Sequence, residues 1–218
     1  MPRAIYVVGG DRQVSNMFSN HGYNVTQNFR EAEALVFTGG ADVHPFLYGE
    51  RELKQTQTDW IRDRTELNLL RRVPSQFPKI GICRGGQFLN VASGGAMWQH
   101  VDGHAEGKLH PMRLDGLDKG RMVEVTSTHH QMMIPTAEAT VIATAAKSTV
   151  KMGDGRPYNK RKPEEVAERF EDTEVVYYEH SNSLCFQPHP EYGVLNNPCQ
   201  RVFFEIMNEY VQFKQMKG

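Results

Sequence analysis

The chain has little cysteine, almost no net charge and no long apolar run, and each shortage excludes a class of protein. Three cysteines in 218 residues, odd in number and widely spaced, do not make a disulfide framework. They suit a reducing compartment, so a cytoplasmic location is expected, and a cysteine in a tight turn is there for chemistry rather than for a bridge. Lys and Arg number 25 against 26 Asp and Glu, a formal net charge of −1, so no global field draws the chain to nucleic acid or to an acidic membrane. No apolar run approaches the roughly 20 residues needed to cross a bilayer. Met1-Pro2-Arg3, followed at once by a strand, leaves no room for a signal peptide. There is no internal repeat and no linker rich in Gly, Ser or Pro. One domain over residues 1–218 is expected, long enough for a substantial core.

What is present alternates. Ala4-Ile5-Tyr6-Val7-Val8 and Ala34-Leu35-Val36-Phe37 read as strands closed by glycine pairs. Val14, Met17 and Phe18 recur at helical spacing between them. A helix is predicted from Trp60 to Arg72 on apolar positions Ile61, Leu67, Leu69 and Leu70, with Pro74 as its stop. Ile80-Gly81-Ile82 leads into a second helical pattern that Gly94-Gly95 ends. Beyond Leu109 the texture becomes strand-rich, with Arg121–Thr126 and Thr140–Ala145, then a hairpin of Glu174–Tyr178 with Ser183–Gln187. Asn197-Pro198 caps an amphipathic C-terminal helix running through Phe213. Short strands alternating with helices predict an α/β protein whose mostly parallel sheet is covered on both faces.

The most informative stretch is Ile80-Gly81-Ile82-Cys83-Arg84-Gly85-Gly86-Gln87. An apolar strand ends in a cysteine between glycines and a helix starts at once, the pattern of a nucleophile elbow. A Cβ two residues before or after the nucleophile would crowd so sharp a bend. A helix start also offers unpaired N–H groups and a positive dipole end, which favour a thiolate and an oxyanion. The plainer reading is a strand–glycine–helix joint with Cys83 as a small hydrophobe. A nucleophilic cysteine needs a base, and the base an orienting group. Gln187-Pro188-His189-Pro190-Glu191 offers both, with His189 and Glu191 two apart in a segment stiffened by prolines; a turn with a solvated carboxylate is the alternative. Thr38-Gly39-Gly40-Ala41-Asp42 adds a glycine pair at the carboxyl end of a strand, where α/β sheets bind ligands.

Together these motifs resemble the class I glutamine amidotransferase superfamily, and within it the peptidase C26 branch that contains γ-glutamyl-γ-aminobutyrate hydrolases. The branch-level likeness rests on Gly39-Gly40-Ala41-Asp42-Val43, Pro45 and Leu47-Tyr48-Gly49-Glu50, then Arg62-Asp63 with Glu66-Leu67. It continues through Asn90-Val91-Ala92 with Gly94-Gly95, and His129-His130-Gln131. The resemblance implies a flavodoxin-like three-layer sandwich and hydrolysis of a γ-glutamyl amide through a thioester. It implies Cys83 as nucleophile, His189 as general base and acid, and Glu191 as its orienter. Backbone N–H groups of Gly40 and Arg84 would form the oxyanion hole, and Gln87, His129, His130 and Gln131 would hold the glutamyl α-amino and α-carboxylate groups. No metal or redox cofactor is implied. The partner would be a small γ-glutamyl substrate or glutamine, with neither nucleic acid nor membrane.

Three functional readings share the motif: a free-standing γ-glutamyl hydrolase, a glutaminase subunit supplying ammonia to a separately encoded synthetase or ligase, and a non-catalytic binding or regulatory relative. Two positions depart from the family pattern. Pro188 stands before the histidine where an aromatic residue is usual, and His44 occupies a position usually acidic. His100, His104 and His110 lie close in sequence, but Gly103 and Gly107 argue against a shared helix and no cysteine or carboxylate pair completes a metal site. Cys185 and Cys199 read as packing residues. The densely charged segment 148–172 reads as a solvated excursion, or as a docking or gating insertion with Arg156, Lys160, Arg161 and Lys162 on its basic face.

Overall fold

A computed structural model describes residues 3–105, 107–147, 152–153, 156–157 and 172–213. The strands are β1 (Ala4–Val7), β2 (Asn24–Val25), β3 (Ala34–Phe37), β4 (Lys79–Ile82), β5 (Ala96–Trp98), β6 (Lys108–Leu114), β7 (Met122–Ser127), β8 (Met132–Ile134), β9 (Thr140–Ala145), β10 (Met152–Gly153), β11 (Arg156–Pro157), β12 (Thr173–Tyr178) and β13 (Ser183–Phe186). The helices are α1 (Arg12–Asn20), α2 (Trp60–Leu70), α3 (Arg84–Ala92) and α4 (Pro198–Tyr210).

The central sheet runs β2-β1-β3-β4-β13-β12-β9-β6-β7. From β2 to β13 the neighbours are parallel; from β13 to β7 they are antiparallel. The predicted hairpin is present, with Val175 opposite Phe186 and Tyr178 opposite Ser183. Strand alternation decides the layers. Ala34 and Val36 share one core with Val14, Met17 and Phe18 of α1 and Val202, Phe203 and Ile206 of α4. Leu35 and Phe37 face the opposite side, against Phe88 and Leu89 of α3 and Leu67 and Leu70 of α2. The flavodoxin-like three-layer α/β arrangement follows from that split.

The helices start where their capping residues place them. Asp11 accepts the Val14 N–H, Asp59 the Arg62 N–H, and Asn197 the Gln200 N–H with Pro198 in the first turn.

One reading needs correction, and two elements lie outside the sequence pattern. Ile61 does not face the core: it is 79% exposed, while Asp63 and Glu66 are buried at 0% and 2%. The inward face of α2 meets charged partners, so polarity inverts the usual pattern. β6 escapes a hydrophobicity reading because Pro111 interrupts it, and that proline is tolerated because β9 pairs only with Met112 to Leu114. The short β5–β8 ladder, Trp98 opposite Met132, was likewise absent from the sequence pattern. Segment 148–172 lies largely outside the described residues, where β10 and β11 form a two-residue ladder.

Candidate active site

The turn after β4 has the geometry of an elbow. Cys83 lies at φ 50° and ψ −113°, a conformation that costs a non-glycine residue about 1–3 kcal/mol and persists only when its surroundings over-determine it. They do so here. The Cys83 N–H donates to Phe186 O at 2.7 Å, and Cys83 O accepts the first helical bond of α3 from the Gln87 N–H at 3.0 Å. The flanking glycines are required by close approach. A Cβ at Gly81 would strike the Gly85 backbone, one at Gly85 would strike Phe37 O, and one at Gly86 would lie 2.9 Å from Phe186 N. The thiol is therefore fixed at the N-terminus of α3, beside N–H groups with no partner within the helix.

His189 follows β13, next to β4 in the sheet, which is how residues 106 positions apart meet. Its N–H donates to Thr126 Oγ1 at 2.7 Å, and its Nδ1 donates to Glu191 Oε1 at 2.7 Å. The other edge of the ring is turned toward Cys83. Burial disfavours the imidazolium, but the bonds and charges of Cys83 and Glu191 outweigh it and push the His189 pKa up to about 10. The ring is held at one edge and on one face. A Cβ on Gly39 would lie 2.7 Å from Cε1, and Tyr192 stacks at 4.3 Å with planes 2° apart. Tyr192 thus supplies an aromatic neighbour to the histidine although position 188 is proline.

The Gly39–Gly40 turn is held by charge. Arg62 donates from Nη1 to Gly39 O and from Nη2 to Thr38 O, both at 2.8 Å. In a trans peptide the N–H points opposite its carbonyl, so pinning Gly39 O aims the Gly40 N–H the other way. Gly40 itself sits at φ +138°, where a Cβ would also collide with Arg62. The Arg84 side chain points away from the nucleophile. Its guanidinium pairs with Asp63 and Glu66, both fully within the interior, and Nε donates to Ala41 O at 3.2 Å. Arg62 pairs with Glu66 at 2.9 Å, and Asp63 accepts the His44 N–H at 3.0 Å. Burial raises the Asp63 pKa against the pull of Arg84. His44 does the work of an acidic cap: its Nδ1 accepts the Phe46 N–H at 3.2 Å.

Cys83 opens onto a cleft of about 410 Å³ lined by Gly40, Asp42, Arg84, Gln87 and the Thr128–Gln131 loop. The predicted substrate residues fare differently there. Gln87 lines the cleft, but its amide nitrogen donates to Gln187 Oε1 at 3.2 Å and Gln131 O at 3.4 Å. Gln131 donates to Gln99 O at 3.2 Å, while its buried Oε1 has no hydrogen bond. His130 is half-buried, and its Nε2 reaches Asp42 Oδ1 at 3.1 Å; that bond raises its pKa. The His129 ring turns inward instead, with Nδ1 donating to Gln131 O at 2.8 Å, and burial pushes its pKa down to about 4.

Two participants escaped the sequence reading. Gln187, fully buried, donates from Nε2 to Cys83 Sγ at 3.6 Å; its place two residues before His189, on the same side of an extended segment, was the available signal. Glu174 of β12 is the second. It lies 64 positions beyond His110 and accepts its Nε2–H at 2.9 Å, a carboxylate beside the clustered histidines that spacing along the chain does not reveal.

The peptidase C26 family model matches residues 17–153. That span includes the elbow and the His129–Gln131 loop and ends before His189 and Glu191. YvdE of Lactococcus lactis, described as glutamine amidotransferase-like, is 44% identical over 80 residues, 36% of this chain and 34% of YvdE. A glutamine amidotransferase-type protein of Mycobacterium tuberculosis, Rv2859c, is 35% identical over 127 residues, 50% of this chain and 41% of that protein. The chain thus spans about a third to two fifths of the length of these curated relatives. Among solved structures, PurLQS of Thermotoga maritima superimposes with a TM-score of 0.60 at 17% identity, over 97% of this chain and 99% of that one. A glutamine amidotransferase of the same organism gives 0.59 at 14% identity, over 95% and 83%. Among the described residues no helix is long and apolar enough to cross a membrane. With the elbow sequence inside the matched span and the fold shared along almost its whole length, the chain belongs to the glutamine amidotransferase-like peptidase C26 family.

Proposed function

We propose that this protein hydrolyses γ-glutamyl amide bonds, in glutamine or a γ-glutamyl amine, through a γ-glutamyl thioester on Cys83. The observation that carries the reading is the continuous chain Cys83–His189–Glu191, with the thiol on a strained elbow at a helix start and the imidazole oriented by a 2.7 Å bond to Glu191. With its raised pKa, His189 holds the proton and leaves sulfur as the nucleophile.

Attack of Sγ on the γ-carbonyl carbon forms the C–S bond and places a negative charge on oxygen. The N–H groups of Gly40 and Arg84 are the donors nearest in role, fixed before the charge develops. His189 gives its proton to the departing nitrogen as the C–N bond breaks, releasing an amine or ammonia. It then takes a proton from water, whose oxygen attacks the thioester and releases glutamate and the thiolate. Gln187, donating to Sγ, stabilises sulfur whenever it carries charge. The buried Gln131 Oε1, without a protein donor, suits the α-ammonium of a glutamyl group, and His130 its α-carboxylate.

The test is glutamate release from glutamine and from a panel of γ-glutamyl amines, wild type beside Cys83→Ala. Turnover in the wild type and a loss on the order of 10³-fold or more in the variant is the expected result. No turnover of any γ-glutamyl compound, with no labelling of Cys83 by a γ-glutamyl electrophile, overturns it. Ammonia release from glutamine that rises only when a synthetase or ligase is added moves the assignment to a glutaminase subunit.

A further inference from the structure

A second buried cluster sits behind the cleft wall, outside the triad. We propose that His104, His129 and Glu174 bind a divalent transition-metal ion of the zinc class, with His110 and the Gln131 carbonyl holding two of those ligands in place. His104 comes from the loop between β5 and β6, His129 from the loop between β7 and β8, and Glu174 from β12. One ligand atom from each lies within 4.8 Å of the others. The side chains are 2%, 2% and 0% exposed.

The hydrogen-bond directions point to a missing cation. His129 Nδ1 faces a carbonyl oxygen, which only accepts, so the ring proton is on Nδ1 and the lone pair on Nε2. That lone pair looks at the carboxylate oxygen Glu174 Oε1 across 3.9 Å. Two acceptors thus confront each other in the interior, where such a contact is repulsive unless a positive centre lies between. His104 Nδ1 lies 3.7 Å from the same oxygen, and neither His104 ring nitrogen makes a hydrogen bond. His129 Nε2 and Glu174 Oε2 make none either. Among the described residues no Lys or Arg pairs with Glu174, and the hydrogen bond to its carboxylate comes from His110 Nε2 at 2.9 Å.

The same features are those of a metal site. Zinc takes imidazole nitrogen and carboxylate oxygen at about 2.0–2.2 Å, which puts ligand atoms roughly 3.3–3.5 Å apart. The separations of 3.7 and 3.9 Å from the two imidazoles to Glu174 require contraction by a few tenths of an ångström, and the two imidazole nitrogens, no more than 4.8 Å apart, close the triangle. Ligand histidines ordinarily donate their second N–H to a carbonyl, and ligand carboxylates are themselves hydrogen-bonded; His129–Gln131 O and Glu174–His110 supply both. Two imidazoles argue against magnesium and calcium. An ion here would tie the Thr128–Gln131 loop, which lines the cleft, to β12, whose Glu174 carbonyl accepts the Gln187 N–H at 2.8 Å. Its place is structural, bracing the wall that faces Cys83.

The experiment uses the full, untagged chain purified without chelator. Elemental analysis should find about one zinc per chain. Cobalt added to stripped protein should give the visible d–d bands of a nitrogen–oxygen site, displaced by zinc, and zinc should raise the melting temperature. Cys83→Ser and His21→Gln should leave the bands unchanged. His104→Gln and Glu174→Gln should abolish them, and His110→Gln should weaken zinc binding about 10–100-fold at unchanged stoichiometry. Wild-type protein that takes up no stoichiometric zinc, shows no cobalt bands and melts identically with and without metal overturns the proposal, whatever the variants do. So does metal binding that survives in His104→Gln and Glu174→Gln or disappears in Cys83→Ser.

Discussion

Two buried polar clusters flank the cleft, and they differ in completeness. On the α2 side Arg62, Asp63, Glu66 and Arg84 balance two positive charges with two negative ones and use their donors on carboxylates and on the carbonyls of the Thr38–Ala41 turn. On the β12 side the His129 lone pair is turned toward the Glu174 carboxylate, and both His104 ring nitrogens and Glu174 Oε2 are left without a hydrogen bond. Both walls belong to the same molecule, and Asp63, Glu66 and Arg84 in one and His104, His129 and Glu174 in the other are buried. The first positions backbone atoms without outside help, while the second leaves ring nitrogens and a carboxylate oxygen without partners. A buried cluster is thus best judged by which donors meet which acceptors, not by how many charged residues it gathers.

The largest expected effect comes from breaking the complete wall. Arg84→Met leaves Asp63 and Glu66 buried without their main partner, which should cost about 3–5 kcal/mol. Urea unfolding should show a lower midpoint with an unchanged slope. The matched change on the other wall, Glu174→Gln in metal-free protein, keeps an acceptor for His110 and removes a charge that no Lys or Arg among the described residues pairs. Because Glu174 Oε2 and His129 Nε2 make no hydrogen bond to lose, it should cost less than about 1 kcal/mol. Equal losses would show that the two clusters are equally satisfied and would end the distinction.

The asymmetry also explains what could be read in advance. The elbow, its glycines and the Asn197 cap were legible because each is a local pattern in which adjacent residues carry the cause. The His189–Glu191 pair was legible once a distant elbow gave it a partner. The α2 cluster was not, because apolar spacing measures hydrophobicity and the inner face of α2 is chosen for complementarity to Arg84. Ile61 therefore points outward and Asp63 inward. His104, His129 and Glu174 could not be joined from sequence at all, since three separate connections bring them together.

Between the walls, His189 should give stability its pH dependence above neutrality. Its pKa is raised from the ordinary 6.5 to about 10, so the stabilisation is fully present below about pH 6.5 and is lost as pH rises through 10. Unfolding midpoints of the wild type should fall across that window, and His189→Gln should flatten the fall. An identical slope in the variant would remove His189 as the source. The elbow strain gives a smaller effect. At φ 50° a glycine is unstrained where an alanine is not, so Cys83→Gly should be more stable than Cys83→Ala by about 1–2 kcal/mol, with both inactive. Reversed order would mean that the turn relaxes once sulfur is gone and that the walls do not enforce it.

The smallest effect sits at the rim of the complete wall. His44 joins two roles: its N–H donates to Asp63, and its ring nitrogen accepts the Phe46 N–H that begins the short helical turn Pro45–Tyr48. Removing the ring in His44→Ala loses only the cap and should cost about 0.5–1 kcal/mol. His44→Asp restores a better cap but sets a new carboxylate near Asp63, whose own ionisation burial already disfavours. Cap and repulsion then oppose, leaving a net change within about 0.5 kcal/mol that moves toward stability as salt screens the partly exposed charge. Thermal melts at low and high ionic strength separate the two contributions. A large loss in His44→Asp that salt does not relieve would show the Asp63–Glu66–Arg84 group to be less well balanced than its bonds indicate, and would bring the two walls closer in kind.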